Sequence, residues 1–330
     1  MHGMPHQPPR GFRAPVGLRH RHVQSLLAAW ALRGRVLRRR ARALLGAAQR
    51  EILDCGAGVR LLGLYSPARG PSRGLAVLLH GWEGSADASY VLSVAAKLHD
   101  AGFEIFRLNF RDHGETHALN RELFHSCRID EVVQAVGNAS AAHPAPRTVL
   151  VGHSLGGNFA LRVAVRAPTA GIDLDQVVAI CPVLRPQSTM RALESGLWLY
   201  REHFLRRWRR SLLAKAACFP DAYDFGDLRR FATLTATTAF FVERYTSFPD
   251  LDAYLSGYAV TGDVLARLQV PTRLIAAADD PVIPIADLRD LATPRALRID
   301  VLAHGGHCAF LENYRLRSWL DEAVLGAIDG

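Results

Sequence analysis

Lysine is nearly absent from this 330-residue chain: only two of its 40 basic residues are lysine, the rest arginine. No apolar run approaches the ~18 residues that span a bilayer, which argues against a transmembrane helix. The first residues lack an unbroken apolar core and a small-residue cleavage site, so they do not read as a secretory signal. Cysteine is sparse, at Cys55, Cys127, Cys181, Cys218 and Cys308, an odd count with no C-x-x-C pair. That spacing argues against a disulfide framework or a cysteine-ligated zinc site and suits a reducing, cytoplasmic setting. Hydrophobic residues at 49% and charged residues at 22% exclude a disordered, collagen-like or coiled-coil chain. A soluble globular protein of one or two domains is the expectation.

Acidic residues are missing from positions 1–50, which hold eleven arginines. The formal charge of +9 is therefore local, leaving 29 basic against 31 acidic residues over the remainder. The basic character belongs to an N-terminal arm that includes Arg33, Arg35, Arg38, Arg39, Arg40 and Arg42. Such an arm can meet an anionic membrane or nucleic acid, or can be a solvated helix face, the simpler reading. Ser25 is its sole serine, which argues against a transit peptide.

Within the arm, Val23, Leu26, Leu27 and Trp30 fall at helical spacing and predict an apolar face over residues 20–32. A second helical stretch follows Gly34. Glu51–Asp54 and Val59–Tyr65 around Gly56-Ala57-Gly58 read as a hairpin. Short apolar runs then alternate with helical stretches: strands at 75–79, 104–110, 148–151 and 177–181, helices at 90–101, 129–142 and 155–167. After 183 the rhythm breaks for some ninety residues of helical, irregular pattern. Strands resume at 272–277 and 297–302, and a helix over 311–328 closes the chain. Alternation of this kind predicts an α/β fold, a mostly parallel sheet covered by helices on both faces. The expected organisation is a basic helical arm (1–50), a core (51–183 and 269–330) and a helical lid or cap insert (184–268).

Gly152-His153-Ser154-Leu155-Gly156 lies where a strand hands over to a helix, the setting of a nucleophile elbow. Ser154 needs a base. His307, in His304-Gly305-Gly306-His307 after the last strand, is preferred over His304. An acid must orient that imidazole. Asp280 is chosen over Asp279 for its place four residues before Pro284, with Asp112 a more distant contender. An oxyanion would need backbone donors, expected at Trp82, in His80-Gly81-Trp82-Glu83-Gly84, and at Leu155. His80 is expected to brace that loop. The Trp82 side chain suits an acyl pocket or a packed core equally.

These elements and their order resemble an α/β-hydrolase. Phe12-Arg13-Ala14-Pro15 with Leu18, His22, Gln24 and Ser25 is similar to the F-x-P…H-x-Q-[TS] opening of the AB-hydrolase-4 (YheT-like) family. So are His80-Gly81-Trp82-Glu83-Gly84-Ser85, Asn109-Phe110-Arg111, Asp279-Asp280-Pro281 and Gly305-Gly306-His307. The resemblance spans about residues 12–326. It implies a serine hydrolase of carboxylic esters, with lipid-ester hydrolases and acyltransferases among the relatives. Asp112-His113 departs from the family's usual small residue after the arginine. With His117 it invites a metal, but Gly114 between the histidines argues against a helical ligand pair, and the loop reads as structural support.

Residues 197–212 interleave Leu197, Trp198, Tyr200, Phe204, Leu205, Trp208 and Leu212 with five arginines. A lid helix over an acyl pocket is the leading reading, ahead of membrane contact and nucleic-acid binding. The expectation is a cofactor-free, metal-free serine esterase: Ser154 nucleophile, His307 base, Asp280 acid, Trp82 and Leu155 oxyanion amides. Its partner would be a small-molecule ester, not nucleic acid, with peripheral membrane contact through the arm left open. An acyltransferase and a non-catalytic binding protein are the competing readings.

Overall fold

The computed structural model describes residues 11–329. Three short helices open it: α1 (Arg21–Ala28), α2 (Ala31–Arg40) and α3 (Arg42–Gly46). A hairpin, β1 (Gln49–Asp54) and β2 (Arg60–Ser66), leads into β3 (Leu75–Leu79), α4 (Ser89–Asp100), β4 (Glu104–Asn109) and α5 (Ile129–Ala142). Next come β5 (Thr148–His153), α6 (Leu155–Arg166) and β6 (Gln176–Ile180). An insert follows with α7 (Pro186–Ser195), α8 (Trp198–Cys218), α9 (Leu234–Tyr245) and α10 (Leu251–Ser256). The chain returns through β7 (Thr272–Ala277), β8 (Leu297–Leu302) and α11 (Leu320–Asp329).

The eight strands form one sheet in the order β1-β2-β4-β3-β5-β6-β7-β8. β2 runs antiparallel to β1 and β4, and every later pairing is parallel. Side chains alternate across a strand, so β3 feeds two cores at once. Leu75, Val77 and Leu79 face α5 and α6, while Ala76 and Leu78 face α4 and α11. All five are fully buried, as a sheet covered on both faces requires. The first core continues into the insert through Leu205, Trp208 and Leu212 of α8. Thr233 and Asp250 cap α9 and α10, accepting from the amides of Ala236 and Ala253.

Three sequence expectations change. Gly34 does not divide the arm helices but lies inside α2; the breaks fall at Trp30 and Ala41. The predicted apolar face of α1 is only half realised: Val23 and Leu27 pack against Leu18, Ala309 and Leu311. Leu26 and Trp30 are exposed, whereas Gln24 and Ser25 are buried. α1 docks as much by hydrogen bonds from those polar side chains as by apolar packing, and a search for apolar periodicity does not register the former. The closing helix starts at Leu320 rather than 311. Residues 311–319 instead form a loop with a Leu311–Ser318 bridge, left-handed Leu316 and a bond from Ser318 Oγ to the Ala309 carbonyl.

One of the two lysines ties the insert to the loop that follows β4. Lys215 of α8 is fully buried. Its ammonium donates to Asp112 Oδ1 at 2.8 Å and to the carbonyls of Asn120 (2.6 Å), Glu122 (3.1 Å) and His117 (3.3 Å). A compact point charge with three protons suits this cage of acceptors better than a planar guanidinium. The other, Lys97, makes an exposed pair with Glu322 at 2.6 Å. Urea denaturation should separate them. Lys215→Ala, which leaves a buried carboxylate without its cation, is expected to lose about 3–5 kcal/mol. Lys97→Ala should stay within about 1 kcal/mol of the parent.

Candidate active site

Ser154 sits between the end of β5 and the start of α6 with φ 55° and ψ −118°, a conformation that an L residue adopts only when its surroundings hold it there. Neighbouring glycines make this turn possible. A Cβ on Gly152 would lie 2.1 Å from the Gly156 carbonyl oxygen, and one on Gly156 would lie 2.4 Å from that of His80. The Ser154 amide donates to the Ile180 carbonyl of β6 at 2.8 Å, fixing the elbow to the sheet.

His307 approaches from the loop after β8. Its Nε2 lies 3.0 Å from Ser154 Oγ and its Nδ1 2.9 Å from Asp280 Oδ2. The Asp280 side chain is almost wholly buried. Its second oxygen accepts the amides of Val282 (2.8 Å) and Ile283 (3.0 Å), so the carboxylate is aimed before the imidazole arrives. Burial alone would lower the His307 pKa, but the Asp280 carboxylate, with the neighbouring Cys308 sulfur, outweighs it and raises the value to about 9. Hydroxyl, imidazole and carboxylate in this order can move a proton off the hydroxyl and stabilise the cation that forms.

The other sequence candidates have different work. Asp279 Oδ1 accepts the Gly306 amide at 3.0 Å and so holds the loop that carries His307. His304 lies half-exposed, 3.6 Å from Asp279 Oδ2. Asp112 is taken by Lys215 and by the Phe124 amide at 2.8 Å.

The loop 80–84 lies against Ser154: a Cβ on Gly81 would come within 3.2 Å of the Ser154 Cβ. Two buried histidines brace it. Nε2 of His80 accepts the Phe110 amide at 3.2 Å and its Nδ1–H donates to the Gly81 carbonyl at 2.7 Å. His113 repeats the pattern, accepting the Glu83 amide at 3.2 Å and donating to the Arg111 carbonyl at 2.7 Å. Each ring accepts at one nitrogen and donates at the other, the behaviour of neutral imidazole. Burial agrees, holding His80 well below its usual range and His113 down to about 4. The amides of Trp82 and Leu155 make no bond to a protein acceptor among the described residues.

No three of Asp112, His113 and His117 gather as ligands, since His117 Nε2 pairs with Ser211 Oγ at 2.9 Å. Among the described residues one set could hold a soft cation: the Cys181 and Cys308 thiols with a His307 nitrogen, within 4.8 Å of one another. Both ring nitrogens of His307 are already engaged, so an ion there would displace Ser154 or Asp280.

A narrow pocket of about 80 Å³ opens on Ser154. Its walls include Trp82, Met190, Phe204, Trp208, Phe241 and Tyr254, most of them from the insert. The Trp82 indole stacks on Phe204 at 5.3 Å and meets Trp208 edge-on at 5.4 Å, so it lines the pocket and packs against α8 together.

Sequence reading missed three contributors. Tyr90 Oη accepts the Gly81 amide at 2.9 Å. Lys215 had one available signal, its rarity in an arginine-rich chain. Ser25 Oγ accepts the backbone amide of His307 at 2.9 Å, across 282 residues of sequence.

The sequence profile of the alpha/beta hydrolase fold matches residues 76–314. The chain is similar to YheT of Escherichia coli K12, a protein named as a candidate esterase, with 26% identity over 297 residues, 84% of this chain and 82% of that one. It is also similar to the monoacylglycerol lipase ABHD2 of Danio rerio, 26% identical over 211 residues, 58% of this chain and 49% of the lipase. Among solved structures, the Pyrococcus furiosus esterase Pf2001 superposes with a TM-score of 0.58 at 13% identity, covering 88% of this chain and 94% of the esterase.

Proposed function

This chain belongs to the α/β-hydrolase fold family, and from that premise we propose that it is a serine hydrolase of carboxylic esters. The observation that carries the proposal is the His307 imidazole bridging Ser154 Oγ at 3.0 Å and Asp280 Oδ2 at 2.9 Å. In this reading Ser154 attacks the ester carbonyl as His307 takes its proton, and Asp280 stabilises the imidazolium. The free amides of Trp82 and Leu155 receive the oxyanion. The imidazolium then protonates the leaving alcohol, and water, activated by the same ring, releases the acid from the acyl-enzyme. No step needs a cofactor. The aromatic walls supplied by the insert, acting as a lid, favour an apolar acyl group.

Hydrolysis of a series of p-nitrophenyl esters tests this reading. Ser154→Ala should lose about 10³- to 10⁶-fold in kcat; undiminished turnover would refute the assignment. A base must be neutral to act. With its pKa at about 9, His307 is protonated at pH 7, and kcat/KM should climb about tenfold per pH unit until it levels near pH 9. A profile already flat from pH 6 would remove His307 as the base.

We further propose peripheral contact of the arm with anionic membrane. Leu26 on α1, Trp30 between the helices, and Leu32 and Val36 on α2 are exposed, as are Arg38, Arg39 and Arg40. His22 Nδ1 lies 3.0 Å from Tyr200 Oη, which sets this arm next to exposed Trp198 and Leu199 at the start of α8. Apolar side chains interspersed with cations suit a lipid interface. Among the described residues no helix is long and apolar enough to cross a membrane. Co-sedimentation with phosphatidylglycerol vesicles should exceed that with phosphatidylcholine vesicles, weaken with salt, and fall in Trp30→Glu. Binding indifferent to lipid charge and salt would eliminate the contact.

A further inference from the structure

The short motif His22-Val23-Gln24-Ser25 has no part in the chemistry proposed above, yet α1 presses it onto the loop that carries His307. Gln24 is fully buried. Its amide group pairs with Leu311 in both directions, Oε1 accepting the Leu311 amide at 2.7 Å and Nε2 donating to the Leu311 carbonyl at 3.1 Å. Nε2 also donates to the Leu18 carbonyl at 2.7 Å. Both N–H donors and the oxygen of this side chain are thus engaged with backbone.

Ser25 completes the attachment. Its hydroxyl proton goes to the Arg21 carbonyl at 2.9 Å, leaving the oxygen lone pairs to accept the His307 amide at 2.9 Å. A group that donates to one backbone and accepts from another across so small a gap must be a hydroxyl. The fit is tight at Gly306, where φ is +55° and an added Cβ would lie 2.6 Å from Ser25 Oγ and 2.7 Å from the Arg21 carbonyl oxygen. On the other side Asp279 takes the Gly306 amide at 3.0 Å. The loop is thus gripped between the sheet edge and α1. Gly305 and Gly306 leave it little stiffness of its own.

We infer that Ser25 and Gln24 are positioning residues for His307: by fixing the backbone at 307 and 311, α1 sets the distance between the imidazole and Ser154. The inference rests on the reading of His307 as the general base. A displacement near 1 Å at a reacting group can cost about 10²-fold in rate, so the bonds matter to turnover more than to substrate binding.

The test uses the full chain with Ser25→Thr, Ser25→Val and Ser25→Ala, and Ser154→Ala as control. Thr and Val have nearly equal volume, so their difference isolates the hydroxyl. Ser25→Val and Ser25→Ala should lose about 10- to 100-fold in kcat for a p-nitrophenyl ester, with KM within about twofold. Inactivation by a fluorophosphonate should slow by the same factor, and Ser25→Thr should restore most of both. The downfield proton resonance of the His307–Asp280 hydrogen bond should be kept in Ser25→Thr and be broadened or shifted in Ser25→Val. Equal kcat, inactivation and resonance in the Thr and Val variants would overturn the inference, as would a parallel loss in all three. Should Ser154→Ala retain full turnover, the hydrolase reading fails by itself, and the resonance still decides whether Ser25 holds the ring.

Discussion

The contact on which this molecule turns is the one between a flexible loop and a rigid sheet at His307. β5 and the helix after it present Ser154 on an elbow whose geometry is set by glycine contacts as close as 2.1 Å. Asp280 is aimed by two backbone amides. Both are pinned by their own neighbourhoods. The imidazole between them rides on a loop with two glycines, and its position comes from bonds to distant parts of the chain. Asp279 holds the loop from the sheet side and Ser25 from the arm side. The proposed chemistry is therefore as exact as that double grip.

The insert solves a related problem. A parallel sheet ends in a row of loops, and an apolar pocket above them would flood unless something apolar covered it. α8 supplies Phe204 and Trp208 to the pocket wall and sends Lys215 down into a cage of carbonyls and the Asp112 carboxylate. If the insert is the proposed lid, one helix provides both the cover and its anchor. The unusual acid at 112, which the sequence presented as a departure from the family pattern, answers that buried ammonium.

Legibility in the sequence followed the range over which each constraint acts. The elbow could be read because its requirement is local: glycines at 152 and 156, a strand before and a helix after. That Asp280 and His307 meet near Ser154 could be read because each follows a strand end where the fold leaves loops free. The sheet announced itself through short apolar runs at regular separation. α1 could not be read in the same way. Leu26 and Trp30 mimic a core face although they are exposed, and Gln24 looks like a surface residue although it is fully buried. Its docking uses hydrogen-bond complementarity to residues 282 and 287 positions away, and no window along the chain contains both partners. The segment 311–319 misled for the converse reason, since bridged loops and helices can share apolar spacing.

The grip on His307 joins an early part of the polypeptide to a late one. During synthesis the seryl elbow emerges about 150 residues before the imidazole, and the α1 clasp waits for a loop made some 280 residues after it. Under the proposed chemistry a growing chain is therefore mute until β8 and the loop beyond it have been made. In that reading it attacks no ester in its surroundings while the loop that carries its base is still missing.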